Sequence, residues 1–136
     1  MCERAGVNAK HRLGQADVAT NLAVHDIARA RSFYGDVLGL DEVGREGEHL
    51  LTYRSGSSLL FVYQSEFAGS NRATAASWLV GDRVDEIVGA LKAEGVVFEH
   101  YDMPDLGLEG DVHVGHGMRV AWFKDPDGNI LSLVSG

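Results

Sequence analysis

At 136 residues, with 45% hydrophobic and 24% charged side chains, the chain has the size and composition of one folded domain. Its net charge of −8 repels phosphate backbones, which argues against nucleic acid and leaves neutral or cationic small molecules as compatible partners, beside a plain role of the acidity in solubility. No apolar run approaches the ~20 residues of a membrane span, and the first residues, with Glu3, Arg4, Lys10 and Arg12, lack the apolar stretch of a secretory signal, so a cytoplasmic protein without a membrane partner is expected.

Residues 1–15 show no apolar period and are expected to form a flexible tail ahead of a single domain at 16–136. The tail holds the single cysteine, Cys2, so neither a disulfide framework nor a Cys-based zinc site is available. From Asp17 the pattern alternates, with Val18, Thr20, Leu22 and Val24 on one face of a strand and Ala19, Asn21 and Ala23 on the other. Asp26 then opens a helix that places Ile27, Ala30, Phe33, Tyr34, Val37 and Leu38 on one side and ends at Gly39.

Strands are expected near 41–46, 48–54 and 57–64, the last two joined by a hairpin turn at Arg54-Ser55-Gly56-Ser57. A strand near 74–81 leads to a second helix, capped by Asp82, that carries Val84, Ile87, Val88 and Leu91 on one face and ends at Gly95. A strand near 96–101 follows, and a final hairpin pairs 118–124 with 129–134 through Asp125-Pro126-Asp127-Gly128-Asn129. The interval 101–117, rich in glycine and acids, reads as a long loop that serves either as a lid or as plain solvated surface.

The two helices start 56 residues apart, which marks an internal repeat of one unit. Pairing Phe61 with Ser132 in the last strand of each unit gives an offset of 71, so the second unit holds 15 extra residues between its helix and its last strand.

Leu22-Ala23-Val24-His25-Asp26, then Ala30-Arg31-Ser32-Phe33-Tyr34 and Val37-Leu38-Gly39-Leu40, resemble the first module of the vicinal oxygen chelate superfamily, which includes glyoxalase, bleomycin-resistance proteins and extradiol dioxygenases. Val120-Ala121-Trp122-Phe123-Lys124-Asp125-Pro126-Asp127-Gly128-Asn129 resembles its closing hairpin. The resemblance spans residues 17–134. It implies an α+β fold of two βαβββ modules, about 16–66 and 72–136, forming a curved mixed sheet around a cavity with helices on its outer face. It also implies a homodimer, and a divalent metal held by His and Glu from the first and last strands of each module.

On these motifs the four ligand positions fall at Ala19, Phe61, Ala76 and Ser132, which do not form a metal site. A register shift of one residue changes nothing, because the neighbours Val18, Thr20, Leu60, Val62, Ala75, Ser77, Leu131 and Leu133 include no His or carboxylate. The one compact cluster of ligand-type residues elsewhere is His113-x-x-His116 near Asp111, and the adjoining Gly115 and Gly117 argue against the helix that would align its rings. His25 and His49 read as surface residues.

Strand alternation then places Asn21, Phe61, Tyr63, Trp78 and Ser132 around the cavity as contacts for a small organic ligand, with Tyr53, His100, Tyr101 and Trp122 as second candidates. Aromatic residues on inward strand faces also serve simply as core. The resulting expectation is a metal-free binding protein, without cofactor, that sequesters an aromatic and possibly cationic small molecule, with no catalytic residue assigned. One alternative is an enzyme of the same superfamily, a lyase, isomerase or dioxygenase, with a metal relocated to His113 and His116 or with His100 or Tyr63 carrying a proton. The other is a dimeric interaction module with no ligand.

Overall fold

The computed structural model describes residues 13–135, so Cys2, His11 and most of the expected tail lie outside the described residues. The first module comprises β1 (Thr20–Val24), α1 (Ile27–Arg31), a π-helical segment (Ser32–Val37), β2 (Asp41–Glu46), β3 (Leu50–Ser55) and β4 (Ser58–Gln64). The second comprises β5 (Thr74–Leu79), α2 (Val84–Ala93), β6 (Phe98–Glu99), β7 (Gly107–Glu109), β8 (Val112–Gly115), β9 (Met118–Lys124) and β10 (Ile130–Val134). Each module forms its own sheet, ordered β1-β4-β3-β2 and β5-β10-β9-β8-β7. In both, the first and last strands run parallel and the remaining pairs antiparallel, which is the mixed α+β architecture of a repeated βαβββ unit.

Asp26 caps α1 as its chemistry dictates, its Oδ1 accepting the Arg29 amide at 3.1 Å. Asp82 does not cap α2. It sits inside a 3-10 turn, Gly81–Arg83, and α2 starts at Val84, with Asp85 and Glu86 placing negative charge at the positive end of the helix dipole. Gly39 at φ 75° and Gly95 at φ 95° adopt the left-handed geometry expected where each helical stretch stops.

The interval 101–117 is not the structureless loop expected from its glycines. Residues 107–109 and 112–115 form the β7–β8 hairpin, and β8 pairs with β9. The strand expected at 96–101 is only Phe98–Glu99, which also pairs with β9, so the extra residues split one edge strand into β6 and β8.

Each sheet buries one face against the helices, and the two helix-covered faces share a single core. Leu22, Val62 and Leu51 line up across β1, β4 and β3, while Leu131, Phe123 and Phe98 line up across β10, β9 and β6. Phe33 from the π-helical segment meets Phe123 of the second sheet at a ring separation of 6.4 Å, joining the halves. Side chains of this size contribute about 1.5–3 kcal/mol each on full burial, which makes the shared core the main force holding the modules together.

A polar clasp complements it. The turn between β9 and β10 presents Asp125, 4% exposed, whose Oδ2 accepts the Tyr34 hydroxyl at 2.7 Å and the Asn129 side-chain amide at 2.8 Å. Asn129 also donates to the Ala23 carbonyl at 2.7 Å, and Asp127 accepts the His25 amide and the Arg29 guanidinium, both at 3.1 Å. The Asp-Pro-Asp-Gly-Asn motif therefore does more than turn the chain: its side chains fasten the second module to the start of α1. Among the described residues, no helix is long and apolar enough to cross a membrane.

Candidate functional site

Because the helix-covered faces meet in the core, the opposite, open faces of the two sheets point away from each other within one chain. The open face of the first sheet carries Asn21 paired with Phe61, which is paired in turn with Thr52, and Ala23 paired with Tyr63. Phe61 is half-buried, Asn21 is exposed and Tyr63 is 39% exposed. Ala19 precedes β1 on the same alternation.

On the side of the second sheet away from the helices lies Ser132, which is buried at 2% exposure, paired with exposed Ser77 on β5 and with half-buried Trp122 on β9. The Ser77 and Ser132 hydroxyls lie 2.6 Å apart, and the Trp122 indole N–H donates to Thr74 Oγ1 at 3.0 Å. This wall is aromatic and hydroxyl-bearing, without a carboxylate at the position where the motif alignment sets Ser132.

The orientation expected for Trp78 is reversed. The pairing of β10 with β5 shifts between Ile130 and Leu131, so that Thr74 faces Ile130 but Ala76 faces Leu131 and Trp78 faces Leu133. That one-residue bulge turns Ala76 and Trp78 to the helix-covered side and leaves Ser77 beside Ser132. The indole of Trp78 packs against the shared core and donates to Ser55 Oγ at 2.9 Å. Tyr53 also lies on the helix-covered face, fully buried, with a hydroxyl that has no hydrogen-bond partner among the described residues.

The remaining second-rank residues gather where the split edge strand crosses the second sheet. His113 and Trp122 meet edge to face at a ring separation of 4.8 Å, and Tyr101 lies 5.4 Å from Trp122 and 6.3 Å from His113. His113 is 2% exposed and its Nε2 lies 3.0 Å from the Tyr101 amide, which donates to it. Burial first, and the charge of Glu99 second, push the Tyr101 phenol up, so it remains a protonated donor at neutral pH. His100 flanks this group, its ring 6.5 Å from that of His113 and its Nε2 2.8 Å from Asp111, which also pairs with Lys92.

The relocated metal cluster is not assembled. His113 is buried and engaged with the Tyr101 backbone, whereas the His116 side chain is 68% exposed on a tight turn at φ 52°. His116 lies beyond the end of β8, in the turn to β9, so it does not share a strand face with His113. Among the described residues, no three His, Cys, Asp or Glu side chains converge as metal ligands would. His25 and His49 are exposed, the latter 2.7 Å from Gln64 through Nδ1.

Sequence reasoning missed two features. The first is Ser77, whose place beside Ser132 depends on a bulge that leaves no mark in the local pattern. The second is a cavity of about 140 Å³ between the modules, on the helix-covered side, lined by Trp78, Ser55, Leu38 and Leu40 among others.

Comparison with known proteins gives a consistent fold. A family model described as the Glyoxalase/Bleomycin resistance protein/Dioxygenase superfamily matches residues 15–133. No curated protein sequence matches the chain. Among solved structures, a lactoylglutathione lyase from Agrobacterium tumefaciens is similar at a TM-score of 0.67 and 22% identity, covering 88% of this chain and 92% of that one. A glyoxalase/bleomycin resistance protein/dioxygenase from Alicyclobacillus acidocaldarius gives 0.66 at 17% identity, over 88% and 89% of the two chains. A genomically encoded fosfomycin resistance protein from Listeria monocytogenes gives 0.64 at 17% identity, over 89% of each chain. Identities at this level speak to the fold alone.

Proposed function

The chain belongs to the Glyoxalase/Bleomycin resistance protein/Dioxygenase superfamily, and on that premise we propose that it is a cytoplasmic, homodimeric protein that binds a small organic molecule between open faces without a metal at the superfamily's usual positions. The observation that carries this reading is the composition of the paired faces. Phe61 and Ser132, two of the four positions where the superfamily pattern sets a metal ligand, stand in register with Asn21 and Ser77, and the other two positions are Ala19 and Ala76. A phenyl ring, an amide and two hydroxyls cannot replace imidazole and carboxylate as a ligand set for a divalent ion. They suit a flat neutral or cationic molecule that stacks on Phe61 and Trp122 and is oriented by Asn21, Tyr63 and the exposed Ser77 hydroxyl, which buried Ser132 holds at 2.6 Å.

The homodimer enters because one chain turns its two open faces apart. A second copy would set the first sheet of one protomer opposite the second sheet of its partner and close the space. Leu79, 72% exposed on the open face beside Val134, and Leu59, 38% exposed beside Arg54, give that contact its apolar area.

Two measurements test the reading. Elemental analysis and titration with zinc, manganese and nickel should reveal no stoichiometric metal, and one tightly bound ion per chain would overturn the metal-free site. Sedimentation should give a dimer that Leu79→Asp dissociates without unfolding, and a wild-type monomer would overturn the shared cavity.

A further inference from the structure

We propose that the cavity between the modules is a second ligand site, separate from the open faces, for a neutral, benzene-sized aromatic molecule bearing one hydrogen-bond acceptor. The cavity measures about 140 Å³, and apolar cavities of about 150 Å³ in folded proteins take benzene. Its floor is core: Leu91 is 7% exposed, Leu133 4% and Phe123 1%. Its rim is formed by Leu38, Leu40, Trp78 and Ile87, each held half-buried rather than packed away. An occupant would remove that apolar rim from water, at about 25 cal/mol per Å².

One polar group enters this apolar surface. Ser55 Oγ accepts the Trp78 indole N–H at 2.9 Å, and the Ser55 hydroxyl proton has no acceptor among the described residues. A carbonyl or ether oxygen on the ligand would take that proton. No charged side chain lines the cavity, so a carboxylate or ammonium would enter without a counter-ion. The site therefore selects a neutral ring with a single acceptor, of the aryl ketone or aryl ether class.

The two tryptophans make the test internal, because Trp78 borders the cavity while Trp122 stands on the open face of the same sheet. Acetophenone is titrated into 15N-labelled full-length protein, with ethylbenzene, which has the same carbon skeleton but no acceptor, as the control. The expected result is a saturable shift of the Trp78 indole N–H signal, with Trp122 unmoved. Acetophenone should bind roughly tenfold more tightly than ethylbenzene, as one hydrogen bond allows, and Ser55→Ala should erase that preference.

Ile87→Trp fills the cavity from the second module and Leu40→Trp from the first, and whichever retains the wild-type spectrum elsewhere should lose binding. Absence of a saturable shift, a response at Trp122 instead, binding that survives both filled variants, or a preference that survives Ser55→Ala would overturn the proposal. So would a Trp78 signal that shifts on dilution of the protein alone, because a second copy would then cover the cavity. Failure here leaves the open-face reading untouched, since Phe61→Ala probes that site separately.

Discussion

Trp78 and Trp122 stand on opposite faces of one sheet, the first in register with Leu133 and the second with Ser132. Both belong to a surface that can receive a small molecule, yet the surfaces differ in chemistry. Trp78 borders a partly open apolar pocket between the modules, while Trp122 sits among hydroxyls and the rings of Tyr101 and His113. A signal from total tryptophan fluorescence would mix the two, so the indole resonances must be read individually.

The clasp between the modules is expected to carry substantial stability. Tyr34→Phe removes the hydrogen bond to buried Asp125 and should cost about 1–3 kcal/mol in urea unfolding at neutral pH. A loss below a few tenths of a kcal/mol would mean that the turn is not fastened through this pair.

Much of this architecture was legible in the sequence. The alternation around Leu22 and Val24 and the Asp-Pro-Asp-Gly-Asn turn each fell where local chemistry put them, because turn and strand signals are short-range. Trp78 did not, since its face depends on a bulge at Ala75 in its own strand that only the pairing with β10, about 55 residues away, reveals. Asp82 missed its cap because a 3-10 turn intervened, and hydrogen-bond competition over one residue decides such boundaries. The 101–117 segment read as loop because glycine-rich hairpins carry almost no period-two signal, and only β9 as a template reveals β8. Phe61 and Ser132 lie on the open faces as strand alternation puts them, whereas Ala76 turns to the helix-covered side and the outward aim of the two faces required the packed core.

Alkaline titration separates the two buried tyrosines of the core. Burial first, and the charge of Glu42 second, push the Tyr53 hydroxyl up to about 12, and burial with Asp125 pushes Tyr34 further still. A folded state that holds these protons more tightly than the unfolded chain has its full stability below the ordinary tyrosine value near ~10 and loses it as pH rises toward the folded value. Tyr53→Phe should make that decline shallower, leaving the share due to Tyr34. At neutral pH it should leave stability unchanged or raise it by about 1 kcal/mol, because the deleted hydroxyl has no partner among the described residues. A marked loss at neutral pH would show that the hydroxyl is bonded in solution.

The opposite sign applies to Asp111, which ties the inserted segment to α2. Its hydrogen bond from Lys92, and then that from His100, hold the carboxyl below the usual carboxylate range. Its contribution is therefore present above the unfolded value near ~4 and lost as pH falls through the lower folded value. Lys92 is more than half exposed, so Asp111→Asn should cost no more than about 1 kcal/mol near neutrality. The difference from wild type should vanish in strong acid, and a difference that persists there would assign the loss to packing rather than charge.

Metal-free ligand binding on the open faces is tested by one titration. A ligand selected by its shift of the Trp122 indole resonance is titrated into wild-type protein before and after exhaustive chelation with EDTA, and again after one equivalent of zinc, manganese or nickel. The same affinity is expected in every case, with at least a tenfold loss in Phe61→Ala, the order of an aromatic stacking contact plus its buried area. Binding that disappears on chelation and returns with one equivalent of metal would contradict it.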